Sequence, residues 1–166
     1  YDGTNFWISD TENGNVYHTT GEGVVLDSIQ FNGAQLKGIE IENDTLWALN
    51  SNVTGDTIIE GSTFPYYSLY KADITNETVL DSIKIVGVYT NSGSGDLWGL
   101  CLFEGNFYIS FNGGYGPCMI KYNKATHFQM PLCCTHLSGM TTVKDSIWAI
   151  GNGMANDSRR TLLGIF

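Results

Sequence analysis

Leu36-Lys37-Gly38-Ile39-Glu40-Ile41-Glu42-Asn43-Asp44-Thr45-Leu46-Trp47 is the stretch on which the reading of this chain turns. Its opening Leu-x-Gly-apolar element returns at Leu97-Trp98-Gly99-Leu100 and Leu137-Ser138-Gly139-Met140. In each copy an aromatic residue stands eleven positions after the leucine: Trp47, Tyr108 and Trp148. Trp7 extends the series backwards, giving steps of 40, 61 and 40 residues, and the middle step reads as one period carrying an insertion. A repeat of roughly 40 to 45 residues made of short strands belongs to radial all-β folds, in which each unit buries its apolar faces against its neighbours.

Within one unit, period-two alternation and turn chemistry predict four antiparallel strands. Leu36 to Glu42 is the first, and Asn43-Asp44-Thr45 is a tight turn whose Asn and Asp tolerate left-handed backbone. Leu46 to Leu49 follows. Beyond an irregular stretch, Ser68 to Asp73 and Val79 to Ile85 complete the set, which is one propeller blade. Val25-Leu26-Asp27-Ser28-Ile29 and Val79-Leu80-Asp81-Ser82-Ile83 repeat letter for letter as outer strands, where the polar pair covers an exposed edge.

Four units are expected, at about 1–35, 36–96, 97–136 and 137–166, in a single domain. The first lacks its first strand and the last lacks its fourth, leaving about fourteen strands where four to eight complete blades close a propeller. Two explanations stand side by side: the strands are part of a larger ring, or the partial blades close with a symmetry mate.

Composition supports a β protein with one core. Hydrophobic residues make up 42%, there are twenty glycines and three prolines, and no apolar run reaches the roughly 18 residues of a membrane span. No initiator Met or signal-peptide pattern is present, which fits a mature or excised segment. The net charge of −9 disfavours nucleic acid, whose phosphates require clustered Lys and Arg. Only Arg159-Arg160 comes near such a cluster, in a predicted turn.

The four cysteines are read through the strands that carry them. Cys118 opens the third strand of unit three and Cys133 ends its fourth, so a hairpin places them opposite one another for a disulfide. A second bridge from Cys101 to Cys134 is sterically conceivable; four cysteines allow three connectivities, and free thiols remain the plain alternative. Zinc is disfavoured because adjacent Cys133 and Cys134 poorly suit tetrahedral ligation. Sequons at Asn43, Asn52, Asn76 and Asn156 all fall in predicted turns or insertions, as glycan acceptors require, although turns are rich in these residues anyway. Together these features predict an extracellular or cell-surface protein.

Two sets of residues are candidates for binding. The insertion from Ser51 to Tyr67 is expected to leave the blade as a loop or extra hairpin, with Phe64, Tyr66 and Tyr67 as its contact surface, unless they pack on the neighbouring blade. Asp10, Asn50, Asn112 and Asn152 end the second strands on one rim. They are expected to satisfy turn backbone groups, the sharper alternative being a ring that binds Ca²⁺ or a sugar. No Walker loop, EF-hand loop or nucleophile elbow is present, and His18, His127 and His136 have no triad partners nearby.

The pattern Asp2-Gly3-Thr4-Asn5-Phe6-Trp7-Ile8-Ser9-Asp10, then Val16-Tyr17, then Val25 to Ile29 and Leu36 to Ile39, resembles the repeats of secreted YVTN/NHL-like β-propellers. Leu69-Tyr70-Lys71-Ala72-Asp73 stands where that group often has a Tyr-Lys-x-Asp strand. Among enzymes the chain is most similar in flavour to glutaminyl-peptide cyclotransferase-like propellers, and that resemblance implies an acidic residue beside the inner-strand glycine. Lys37, Trp98 and Ser138 stand there instead. The expectation is therefore a binding or structural module with a protein or carbohydrate partner, or self-assembly, and no required cofactor; the alternative is a propeller cyclotransferase or hydrolase whose active site lies mostly outside this segment.

Overall fold

Strands account for most of what the computed structural model describes, namely residues 4–86, 96–113, 116–126, 129–133, 137–143, 146–152 and 160–165. Within these residues fourteen strands form four antiparallel sheets. Strands β1 (Phe6–Asp10), β2 (Asn15–Thr19) and β3 (Val25–Gln30) make the first sheet, in that order. The second holds β4 (Leu36–Glu42), β5 (Thr45–Ile59), β6 (Ser62–Asp73) and β7 (Thr78–Val86). The third holds β8 (Asp96–Phe103), β9 (Asn106–Gly113), β10 (Gly116–Asn123) and β11 (Gln129–Cys133), and the fourth β12 (Leu137–Val143), β13 (Ser146–Asn152) and β14 (Arg160–Ile165). Each is a meander in sequence order, and β4, β8 and β12 succeed one another as inner strands. The described residues form an all-β propeller of four blades with three, four, four and three strands.

The register explains the repeat. Trp47 lies between Glu40 and Lys71, Tyr108 between Cys101 and Lys121, and Trp148 between Thr141 and Gly164, while Trp7 faces His18. All four aromatics therefore occupy one blade position. The Leu-x-Gly element is a β-bulge, because the ladder slips by one residue between Leu36 and Gly38, Leu97 and Gly99, and Leu137 and Gly139. The twin Val-Leu-Asp-Ser-Ile strands also bulge at the same point, with His18 opposite Asp27 and Thr19 opposite Val25, then Lys71 opposite Asp81 and Ala72 opposite Val79.

Gly38 fixes the spacing between inner strands. A Cβ built there would lie 2.7 Å from the Leu100 backbone nitrogen and 2.8 Å from Leu100 Cβ. The backbones of β4 and β8 thus meet where only glycine fits.

Between the second and third blades, Leu49, Leu69, Ile85, Leu97, Phe107, Ile109 and Ile120 are fully buried. Trp47 reaches across to Phe107 edge-on, with ring centroids 4.8 Å apart. Lys124 joins the same seam: its ammonium pairs with Glu42 and lies 5.6 Å from the Trp47 ring centroid. A second cluster, with Val16, Ile29, Phe31, Leu36, Leu46 and Ala48, joins the first blade to the second. Cys101, Tyr108, Met119 and Ile147 link the third to the fourth.

The expected insertion is a hairpin, but its boundaries differ from the sequence reading. The stretch read as irregular is instead a continuation of β5 and β6, which run on past two ladder irregularities between Leu49, Val53 and Gly55. A two-residue turn at Glu60-Gly61 closes it, with φ of 49° and 79°, the positive pair that tight hairpins use.

Candidate functional site

On the hairpin, cross-strand pairing puts Gly55 opposite Tyr66, Thr57 opposite Phe64 and Ile59 opposite Ser62, so Ile59, Phe64 and Tyr66 share one face. Tyr66 lies against Gly55, where a Cβ would come within 3.0 Å of its ring, and the Lys84 ammonium stands 4.6 Å from the ring centroid. Pro65, with no N–H to donate, precedes the point where β7 begins to pair with β6 at Tyr66. Among the described residues, the outer part of the hairpin has one strand neighbour. Ile58 is 74% exposed at its tip, and Val53 and Ile59 are also exposed.

Tyr67 corrects the sequence reading. It is 1% exposed and belongs to the core between the second and third blades. Successive strand residues point to opposite faces, so Tyr66 and Tyr67 do not form one surface. Phe64 and Tyr66 stay half-buried, and the exposed residues that sequence reasoning missed are Val53, Ile58 and Ile59. Paired isoleucines beside a Glu-Gly turn were the available signal.

The rim residues do not form one ring. Asn50 pairs with Leu36, whereas the residue facing the corresponding Leu97 is Phe111, so Asn112 sits one position out of register; Gly151 facing Leu137 displaces Asn152 in the same way. Asn50 does not end its strand either, because β5 continues to Ile59. Asp10 Oδ1 accepts the Glu12 and Asn13 amides at 2.9 and 3.2 Å, and Asn50 Oδ1 accepts those of Gln35 and Asn52 at 3.0 and 3.1 Å. These oxygens serve turn backbone. The Asn13 side-chain amide and those backbone donors hold the Asp10 carboxyl below its usual value. Among the described residues, no group of three or more His, Cys, Asp or Glu is placed to hold a metal ion.

Glu40 is an acidic residue on an inner strand, two positions beyond the glycine where the resemblance implied one before it. Burial pushes its carboxyl up to about 7, partly opposed by a hydrogen bond from the Leu102 amide of the next blade. Its field, after burial, helps push the neighbouring Cys101 thiol up to about 12. Cys101 is a free, buried thiol, so the conceivable bridge to Cys134 is not formed; Cys134 lies outside the described residues, as do Asn156, His127 and His136.

The sign of the Glu40 contribution follows from its raised value. The folded state holds the proton more tightly than the unfolded chain, so this stabilisation is full below the ordinary value of 4.5 and is lost as pH rises through about 7. Urea titrations across that window should show stability falling with pH, and Glu40→Gln should flatten the slope. An unchanged slope in the variant would contradict the assignment.

Cys118 and Cys133 are direct cross-strand partners in β10 and β11. Such partners have Cα atoms about 4.5 or 5.5 Å apart, inside the range a disulfide spans. Of the sequons, Asn43, Asn52 and Asn76 are exposed.

No family model matches the chain, and no curated protein matches it. Among solved structures it is similar to the computationally designed Ika8 protein, with a TM-score of 0.44 and 9% identity over 99% of this chain and 57% of that one. It is also similar to the Dos1 propeller, with a TM-score of 0.42 and 8% identity over 96% of this chain and 52% of that one. The chain thus spans little more than half the length of either. The blades' own register defines the propeller. Among the described residues no helix is long and apolar enough to cross a membrane.

Proposed function

We propose that this propeller is an extracellular binding module whose contact element is the β5–β6 hairpin. The observation that carries this reading is a hairpin with apolar side chains in solvent on both faces, Ile59 on the face of Phe64 and Tyr66, and Val53 and Ile58 on the other. Protruding aromatic and aliphatic side chains on a rigid scaffold suit recognition of a protein or carbohydrate surface. The test is a screen of immobilised proteins and glycans with the wild-type chain and the Ile58→Lys/Ile59→Lys variant. Ligands retained by the wild type should bind the variant at least about tenfold more weakly, while unfolding changes by less than about 0.5 kcal/mol, as for exposed sites. Equal binding by both would place recognition elsewhere.

The extracellular part of the reading is supported by the Cys118–Cys133 register and the exposed sequons. Peptide mapping without reduction should recover those two cysteines joined, with Cys101 alkylated only after unfolding. Finding Cys118 alkylated in the native protein would remove that support.

Glu40 favours a second reading, a cyclotransferase or hydrolase. A carboxyl near 7 on an inner strand is suited to proton transfer. Cyclisation of glutaminyl peptides that disappears in Glu40→Gln would favour it over the binding module.

A further inference from the structure

Strand β5 is covered on one of its sides for only part of its length. β4 pairs with it as far as Asn50, and the last bond on that side runs from the Ser51 amide to the Gln35 carbonyl at 2.8 Å. From Val53 to Ile59, β5 pairs with β6 alone among the described residues.

The Glu60-Gly61 turn decides which backbone groups this leaves open. A two-residue turn makes Ile59 and Ser62 a pair that exchanges hydrogen bonds, and such pairs alternate along a hairpin, so Thr57 with Phe64 and Gly55 with Tyr66 bond likewise. Asp56 and Ile58 lie between them. Their N–H and C=O groups therefore point away from β6, towards the uncovered side. The opposite edge of the hairpin is blunted, because the residue across from Asp56 is Pro65, which has no N–H to present there. β5 carries no such guard.

The side chains on this edge define what fits it. Val53, Asp56 and Ile58 lie on one face and are exposed, Ile58 at 74%. No Lys, Arg or His stands between Lys37 and Lys71, while Asp56 and Glu60 both lie in the hairpin. Lys84, the ammonium over the Tyr66 ring, belongs to the other face. Among the described residues no hydrogen bond or ion pair engages the Asp56 carboxylate.

We propose that the free edge of β5, from Val53 to Ile59, is a docking site for one extended segment of a partner protein that adds antiparallel to β5 and reads apolar-x-Lys or apolar-x-Arg. The apolar residue faces Ile58 and the cation faces Asp56. This rests on the hairpin being the contact element, and it names the partner chemistry that element takes. Main-chain bonds at Asp56 and Ile58 supply the attachment, and the apolar and charged cross-strand pairs supply the selection. A second copy of the chain is a poor donor. Its stretches Leu69 to Lys71 and Met119 to Lys121 read apolar-x-Lys, but both are already paired on two sides within their blades.

The test adds a labelled synthetic peptide, Thr-Val-Thr-Val-Thr-Lys-Thr-Val, to the folded 166-residue chain and follows anisotropy together with amide hydrogen exchange. Saturable binding is expected, with protection gained at the Asp56 and Ile58 amides and none gained at Thr57, whose amide already bonds to β6. N-methylation of the peptide's second valine, the residue facing Ile58, should abolish binding. The peptide carrying Glu in place of its Lys should bind at least about fivefold more weakly, and Asp56→Lys in the protein should reverse that preference. Absence of saturable binding, equal binding of the Lys and Glu peptides, an unaffected N-methyl peptide, or protection confined to other strands would each overturn the proposal. So would a stable dimer, seen by light scattering, that protects Asp56 and Ile58 without peptide. If the Lys peptide fails while Ile58→Lys/Ile59→Lys still loses a ligand found in the screen, strand addition is refuted and the hairpin stays the contact element.

Discussion

Gly38→Ala is expected to cost about 3 kcal/mol, the upper part of the range for overpacking at a tight contact. The added methyl would sit 2.7 Å from the Leu100 nitrogen and 3.3 Å from the Gly99 carbonyl carbon, and backbone does not swing aside as a flexible side chain does. Against a total stability of about 5 to 15 kcal/mol, that loss moves the urea midpoint visibly. Gly33→Ala is the control. Gly33 has φ of +71° and nothing within 4 Å of a built Cβ, so it costs only the left-handed backbone penalty of about 1 to 2 kcal/mol. If Gly38→Ala proves no more costly than Gly33→Ala, the inner strands do not approach as described.

Phe107→Ala should cost still more, about 3 to 5 kcal/mol. Phe107 is fully buried, and it packs against Trp47 of the preceding blade and, at 6.5 Å between centroids, Tyr122 of its own. Phe6 holds the same repeat position, immediately before the blade's aromatic, yet it is 45% exposed. In this chain Phe6→Ala should therefore cost well under half as much, because truncation at a half-exposed site leaves no sealed cavity. Chemical denaturation of both variants checks the pair. Equal losses would mean that burial between blades does not set the cost.

What was legible in the sequence was the repeat, and the reason is physical. Each unit solves the same packing problem, so Trp7, Trp47, Tyr108 and Trp148 fall at one register position, and identical Val-Leu-Asp-Ser-Ile strands take the same bulge. The meaning of the Leu-x-Gly spacing was not legible. It depends on the backbone of the neighbouring blade, which no local pattern reports.

Glu40 escaped for a related reason. Attention to the residue before the glycine led to Lys37, Trp98 and Ser138, the extra residues of the bulges, whereas the residue two beyond the glycine is the one that faces the next blade. In the hairpin, composition drew the eye to Phe64-Pro65-Tyr66-Tyr67 as a cluster, but strand alternation divides it. Tyr67 goes to the core and Tyr66 to Gly55 and Lys84, and the exposed apolar side chains are Ile59 on the Tyr66 face and Ile58 on the opposite one.

The central claim, that these sheets are successive blades whose inner strands meet glycine to backbone, is tested most directly by a nuclear Overhauser measurement between Gly38 Hα and the Leu100 amide proton. The arrangement predicts a strong cross-peak, because the Leu100 nitrogen lies 2.7 Å from where a Gly38 Cβ would stand. With both resonances assigned and the protein folded, absence of that cross-peak would contradict the radial packing of β4 against β8.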